Sequence, residues 1–287
     1  MANKKTILDE KYSPRFMDKN LKKPKVSVIM TVFNAEAYLK EALTSVFDQT
    51  FSDFEFIIIN DGSTDESSQI IQTHTDPRII FVNHVENAGT ITRLNEGVRL
   101  AKGEYIARLD SDDVWSDKDK IAKQVTFLDL HHEYGLLGTL GNAIDKNGST
   151  LYSLNYPLYD KNIRRNILIK NCFLNSSVIF RKELPKRIGV YDKEEKHAED
   201  YGLWLRIGTI SKFANLPYNG TSYRITAEGD SLSNNIRSIE NCILLIKKYR
   251  NNYPSFFWGI IKWNLKLHIL KIFNIDTFIK IKKFLKK

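Results

Sequence analysis

The stretch Val26–Asp65, VSVIMTVFNAEAYLKEALTSVFDQTFSDFEFIIINDGSTD, holds two strands with a helix between them. Val26–Thr31 is a short, continuous apolar run, the pattern of a parallel strand buried on both faces. Ala35–Gln49 places apolar residues at 35, 39, 42, 43 and 46, which is helical spacing. Phe54–Asn60 repeats the buried-strand pattern and stops at the turn formers Asp61-Gly62-Ser63-Thr64. Parallel neighbours need a crossover, and the intervening helix supplies it.

The same alternation continues outward. A helix is expected over about 65–74, a strand at Arg78–Asn83, a helix at Thr90–Ala101 and a strand at Gly103–Leu109. This β-α-β-α-β-α-β order predicts an α/β fold: an open, mostly parallel sheet with helices on both faces. Further on, Asp117–Leu130 and Glu199–Ile210 are predicted as helices, and Leu136–Ile144 and Leu174–Phe180 as strands. Residues 145–160 are expected as a loop or hairpin, and Lys212–Thr226 as a strand pair turning near Asn219-Gly220. The organisation expected is a polar arm over 1–24, a body over 25–235 and a basic helical tail over 236–287.

Composition narrows the class. Cys172 and Cys242 are the only cysteines among 287 residues, which excludes a disulfide scaffold and a cysteine zinc site and fits a reducing compartment. The opening MANKKTILDEKYSPRF is polar, and no apolar run approaches the roughly 20 residues of a spanning helix. A cytoplasmic location is therefore expected. The net charge of +9 is uneven: residues 241–287 carry eleven Lys/Arg against the single acid Asp276. Phe278, Ile281, Phe284 and Leu285 fall on one side of a helix, with Lys280, Lys283 and Lys287 on the other. Upstream stand the aromatics Phe256-Phe257-Trp258 and Trp263. Such a segment suits the inner face of a membrane, each basic residue near anionic lipid being worth about 1 kcal/mol. No nucleic-acid module accompanies the basic tail, so no nucleic-acid partner is expected.

In open α/β sheets, ligands bind beyond the carboxyl ends of the strands. Three polar clusters stand there: Thr31–Asn34, Asn60–Asp65 and Asp110–Asp113. Asp110-Ser111-Asp112-Asp113 places three carboxylates in four residues, and an i, i+2 pair past a strand can converge on one hard cation. A solvated acidic loop is the plainer reading of that triplet alone. Asp61 lies too early to cap the next helix, whereas Thr64 or Asp65 can. Glu199 and Asp200 open a predicted helix, where acids favour the macrodipole and where one of them can serve as a general base.

Together, VSVIMTVFNAEAYLKEALTSVFDQTF, FIIINDGSTDES, VENAGTITRLNEGVRLAKGEYIARLDSDD and AEDYGLWLR, in this order, resemble glycosyltransferase family 2 and its GT-A fold. The resemblance covers about Lys25 to Tyr223. It implies a nucleotide-diphospho-sugar donor, a UDP-sugar first, a divalent Mn²⁺ or Mg²⁺, and inversion at the anomeric carbon. By position it makes Asp61 the reader of the donor base, with Phe33 flanking the base and Thr31 and Asn34 beside it. Asp112 becomes the foremost metal ligand, with Asp110 near metal and ribose and Asp113 in support. Asp200 becomes the catalytic base, with Glu199 beside it raising its pKa by like-charge repulsion.

Departures accompany the match. Thr31 stands where proline is common, and Thr226 where relatives carry a histidine, leaving water or Arg224 to complete the diphosphate site. No Q-x-x-R-W motif follows Asp200, which argues for one sugar per turn rather than processive synthesis. A glycan or lipid-linked acceptor in surface polysaccharide assembly is the expected setting. A nucleotidyltransferase would carry a Gly-rich basic loop after the first strand, and Thr31–Ala35 is neither Gly-rich nor basic. A non-catalytic sugar-nucleotide binder would tolerate loss of Asp112 or Asp200, and both are present.

Overall fold

The computed structural model describes residues 23–225 and 232–272. β1 (Val26–Val32), β2 (Phe54–Asp61), β3 (Ile79–His84) and β4 (Tyr105–Arg108) run parallel in the order β3-β2-β1-β4. The connections carry α1 (Leu39–Phe47), α2 (Ser67–Gln72) and α3 (Thr90–Leu100), as the alternation predicts. Past β4 the sheet becomes mixed. β7 (Ile179–Arg181) is antiparallel to β4, β5 (Tyr134–Ile144) is antiparallel to β7, and β6 (Thr150–Leu154) closes a hairpin on β5.

The continuous apolar runs are explained by two cores, one on each face of the sheet. Ile29, Ile57, Ile59 and Val82 meet Ile91, Leu94 and Val98 of α3, together with Leu203, Trp204 and Ile207 of α7 (Glu199–Gly208). Val28, Met30, Phe56 and Ile58 point the other way, onto Leu39, Leu43 and Val46 of α1 and Ile121, Val125 and Leu128 of α4 (Lys120–Leu130). Successive residues of a strand face opposite sides, so a strand buried on both is mostly apolar, and the buried exceptions Ser27 and Glu55 hydrogen-bond each other at 2.6 Å.

Register sets the site. β1 pairs with β2 from Val26↔Phe54 to Val32↔Asn60, and with β4 up to Ile29↔Arg108. The three polar clusters therefore leave the sheet at one edge. Gly62 turns the chain there at φ +72°, and a Cβ would meet the backbone of Glu86 and Asn87 at 2.8 Å, so only glycine fits.

Two segments differ from expectation. Lys212–Arg224 is one strand, β8, parallel to β5, rather than a pair. The register jumps from Thr139↔Leu216 to Leu140↔Asn219, so Pro217 and Tyr218 bulge out beside Asn219-Gly220. Proline has no N–H for the ladder, and the turn signal marks this bulge. Leu174–Phe180 begins as a 3-10 turn at Asn175–Ser177 and becomes strand only at Ile179. Ser177 Oγ accepts from Thr139 N and donates to Leu174 O, drawing that backbone out of the ladder.

At the C-terminal end, α8 (Leu232–Lys248) and α9 (Phe256–Ile272) pack on each other around Ile239, Ile243 and Leu270. Cys242, Leu245, Ile246, Tyr249 and Tyr253 also join the core formed with α7, and Tyr253 OH donates to Leu205 O at 2.6 Å. At about 1.5–3 kcal/mol for each large side chain lost from the core, removal of residues 241–287 exceeds what a domain of about 5–15 kcal/mol withstands. The truncated chain is expected to express insolubly or melt without a cooperative transition. The amphipathic stretch over 278–287, the arm over 1–22 and Thr226 lie outside the described residues. Among the described residues no helix is long and apolar enough to cross a membrane.

Candidate active site

The loops after β1 and β2 are laced to each other. Asn34, at φ +49°, donates its N–H to Ser63 Oγ (3.0 Å) and accepts from Thr64 N (2.9 Å). Asp65 accepts from Glu36 N and Ser67 N, both at 3.0 Å, so it satisfies one free N–H at the start of α2 from just outside the helix. Phe33, held at the mouth by this lacing, is 50% exposed and offers an open ring face. Thr31 is half-buried on β1.

Asp61 is buried at the N-terminus of α3. It accepts from Ala88 N (2.8 Å) and Gly89 N (2.9 Å), where the helix dipole favours a negative charge. Arg93 Nε adds a third bond at 2.6 Å. Oδ1 takes two of these bonds and Oδ2 one, leaving Oδ2 a lone pair for a donor group of a ligand.

The carboxylates after β4 have different surroundings. Asp110 is gripped by Arg108 Nη2 and by Asn175 Nδ2 at 2.8 Å. Asp113 is 1% exposed, accepts from Ser176 Oγ and from Arg224 N (2.8 Å), and its carboxyl is pushed well up by burial and by Asp110 and Asp112. Asp112 differs from both. The hydrogen bond reaching its carboxylate comes from its own backbone, and burial, then Asp110, raises it to about 6 against the pull of Arg224.

Arg224 holds this loop. It is 2% exposed, and its guanidinium donates to Asp112 O (2.9 Å), Asp145 O (3.1 Å), Lys146 O (3.3 Å) and Glu41 Oε2 (2.5 Å) while lying over the Tyr38 ring. With its N–H groups so occupied, it supports the Asp112 backbone.

Asp200 lies in the first turn of α7, where Arg206 clasps both oxygens of buried Glu195 at 2.6 and 2.7 Å and ties the preceding loop to the helix. Gly202 is required beneath this pair, since a Cβ would meet Glu195 Oε2 at 2.0 Å. Asp200 Oδ1 lies 3.8 Å from Arg108 Nη1 and has no hydrogen-bond partner, while its side chain keeps 22% exposure. Burial, with Glu199 and Asp110 adding negative potential against Arg108, raises Asp200 to about 7. That is where a general base works best near neutrality.

Sequence reasoning passed over Arg108, although a charge ending the apolar strand YIAR was the available signal. Its guanidinium is shut away from solvent and stands between Asp110 and Asp200, with the buried Tyr191 OH beside it. It keeps two like charges apart. Arg108→Gln is expected to lower turnover about tenfold or more. The limb of its pH profile that rises toward alkaline pH should move to higher pH, because losing the cation raises the Asp200 carboxyl. A pH–rate profile beside a thermal melt reads this out.

Among the described residues no three His, Cys, Asp or Glu side chains gather into a complete cation cage. Mg²⁺ or Mn²⁺ bound through one or two carboxylates and a substrate's phosphates needs none. Asp112, whose carboxylate takes no hydrogen bond from another of the described residues, fits as the first ligand, and Asp110 as the second.

Residues 27–189 match the glycosyl transferase family 2 model. The chain is 34% identical over 199 residues to the O-antigen biosynthesis glycosyltransferase WbnJ of Escherichia coli, covering 69% of this chain and 76% of that one. Its fold resembles a mannosyltransferase, PcManGT of Pyrobaculum calidifontis, solved with GDP-Man and Mn²⁺ (TM-score 0.64, 21% identity, 86% of this chain and 71% of that one). It also resembles S. aureus TarS 1-349 (TM-score 0.66, 21% identity, 85% and 73%), a protein also solved with UDP-GlcNAc. With this domain match and the GT-A architecture of its sheet, the chain belongs to glycosyltransferase family 2.

Proposed function

We propose that this glycosyltransferase moves one sugar from a nucleotide-diphospho-sugar to an acceptor hydroxyl with inversion at the anomeric carbon. The observation that carries the reading is the placement of two acidic poles on either side of Arg108. Asp110 and Asp112 make the donor pole, and Asp200 makes the base pole. The acceptor oxygen attacks the anomeric carbon from the face opposite the diphosphate. The carbon–oxygen bond to the diphosphate breaks, and the nucleoside diphosphate leaves with its electron pair. Asp200 takes the hydroxyl proton as the new bond forms. Phe33 flanks the donor base, the free lone pair of Asp61 Oδ2 faces it, and Thr31 and Asn34 line the approach. A Mn²⁺ or Mg²⁺ on Asp112 and Asp110 would supply charge neutralisation at the leaving diphosphate.

Nucleotide sugars bound to the structural neighbours, and Mn²⁺ beside GDP-Man in one, support this choice of donor and cofactor. The O-antigen relative supports a setting in surface polysaccharide assembly; the acceptor in this reading is a glycan or lipid-linked glycan at the cytoplasmic face. A panel of UDP- and GDP-sugars with Mn²⁺ tests the reading through nucleoside diphosphate release. Release from one sugar nucleotide is expected, and the product's anomeric NMR coupling should report inversion. Retention, or release of pyrophosphate in place of a nucleoside diphosphate, would overturn it.

A further inference from the structure

We propose that the outward face of α9 is a docking surface for an anionic lipid bilayer. The inner face of this helix is fully engaged. A Cβ on Gly259 would meet Leu168 O at 2.5 Å, Trp263 Nε1 donates to Leu168 O at 3.1 Å, and Leu270 is buried against α8. The orientation of the other face follows from that seating.

Phe257, Trp258, Ile261, Leu265 and Ile272 are 64, 65, 44, 57 and 59% exposed. At 100° per residue these five, with the exposed His268 among them, fall within an arc of about 100° on the side away from the body. Charged residues flank the arc, Lys262 and Lys266 on one side and Lys271 on the other, and Lys271 also reaches Glu240 at 2.9 Å. The helix is therefore apolar on two faces, one turned to the protein and one to the outside. Its 17 residues span about 25 Å, short of a bilayer core, and carry three lysines, so the helix suits lying in the interface rather than crossing it.

Charge selects the occupant. From 241 onward the chain holds eleven Lys/Arg and one acid, and the residues after Ile272 continue from α9 with five of those lysines. A second copy meeting this face about a two-fold axis would set like charges against each other. Anionic headgroups complement them, and Phe257 and Trp258 are side chains that favour the membrane interface.

Flotation of the full chain with phosphatidylcholine vesicles, with and without phosphatidylserine, tests this. The parent should float with the serine-containing vesicles and come off as salt rises. Trp258→Glu/Leu265→Glu should reduce flotation about tenfold or more, with melting temperature and donor hydrolysis unchanged because both side chains are exposed on the face turned from the body. Should the double variant melt lower, Trp258→Ser alone carries the comparison. Undiminished flotation of a folded variant would assign binding to another segment and overturn the proposal. So would a parent dimer, free of vesicles, that the substitutions convert to monomer. Neither result bears on donor hydrolysis, which is read separately.

Discussion

Asp200→Asn lowers turnover about 10²-fold or more and leaves donor affinity within a few-fold, because only help given in the transition state is removed. The structure explains the size of the effect. Burial, with Glu199 and Asp110 nearby, holds Asp200 at about 7 against Arg108, so near neutrality it is about half ionised and basic enough to take a proton. The sign of the pH dependence follows. A base must be deprotonated, so kcat/KM of the parent rises as pH passes upward through about 7 and then levels. The asparagine variant should lack that limb. Glu199, unpartnered at Oε2 in the same turn, is the neighbour to compare. If Glu199→Gln proves inactive while Asp200→Asn works, the base is Glu199.

Asp112→Ala is expected to act at the other pole. Its carboxylate is supported by its own backbone alone, whereas Asp110 and Asp113 are held by Arg108, Asn175, Ser176 and Arg224. Removing it leaves the loop braced by Arg224 and takes away the foremost cation ligand. Turnover should fall on the order of 10²–10³-fold, the scale of losing several kcal/mol of charge stabilisation. Donor affinity in Mn²⁺ should fall with it, and the melting temperature should hold or rise as a buried acid is lost. Full parental turnover in excess EDTA would contradict the metal's part in this account.

Much of this was legible because burial on two faces forces a simple pattern. Val26–Thr31 and Phe54–Asn60 are apolar in their interiors apart from Ser27 and Glu55, which pair with each other, and their ends pass into the polar clusters. That Asp61 and Asp110–Asp113 leave the sheet at one edge could be read from the strand order alone. What stayed hidden depended on contacts distant in sequence. Nothing local tells that Arg224 reaches back 183 positions to Glu41, or that Ser176 serves Asp113 rather than a strand. Asn219-Gly220 reads as a hairpin until β5 is known to run parallel alongside and make it a bulge. The basic C-terminal segment reads as a detachable tail because its charges are visible and its core contacts are not. Tyr249 and Tyr253 are buried by α7, some fifty residues earlier.

The division of the site into a donor pole and a base pole separated by Arg108 is the central claim, and calorimetric titration of UDP and GDP in Mn²⁺ tests it most directly. The parent and Asp200→Asn should bind the preferred nucleoside diphosphate with affinities within a few-fold of each other, while Asp112→Ala binds it at least about tenfold more weakly. Equal weakening in both variants, or parental affinity in Asp112→Ala, would contradict the account.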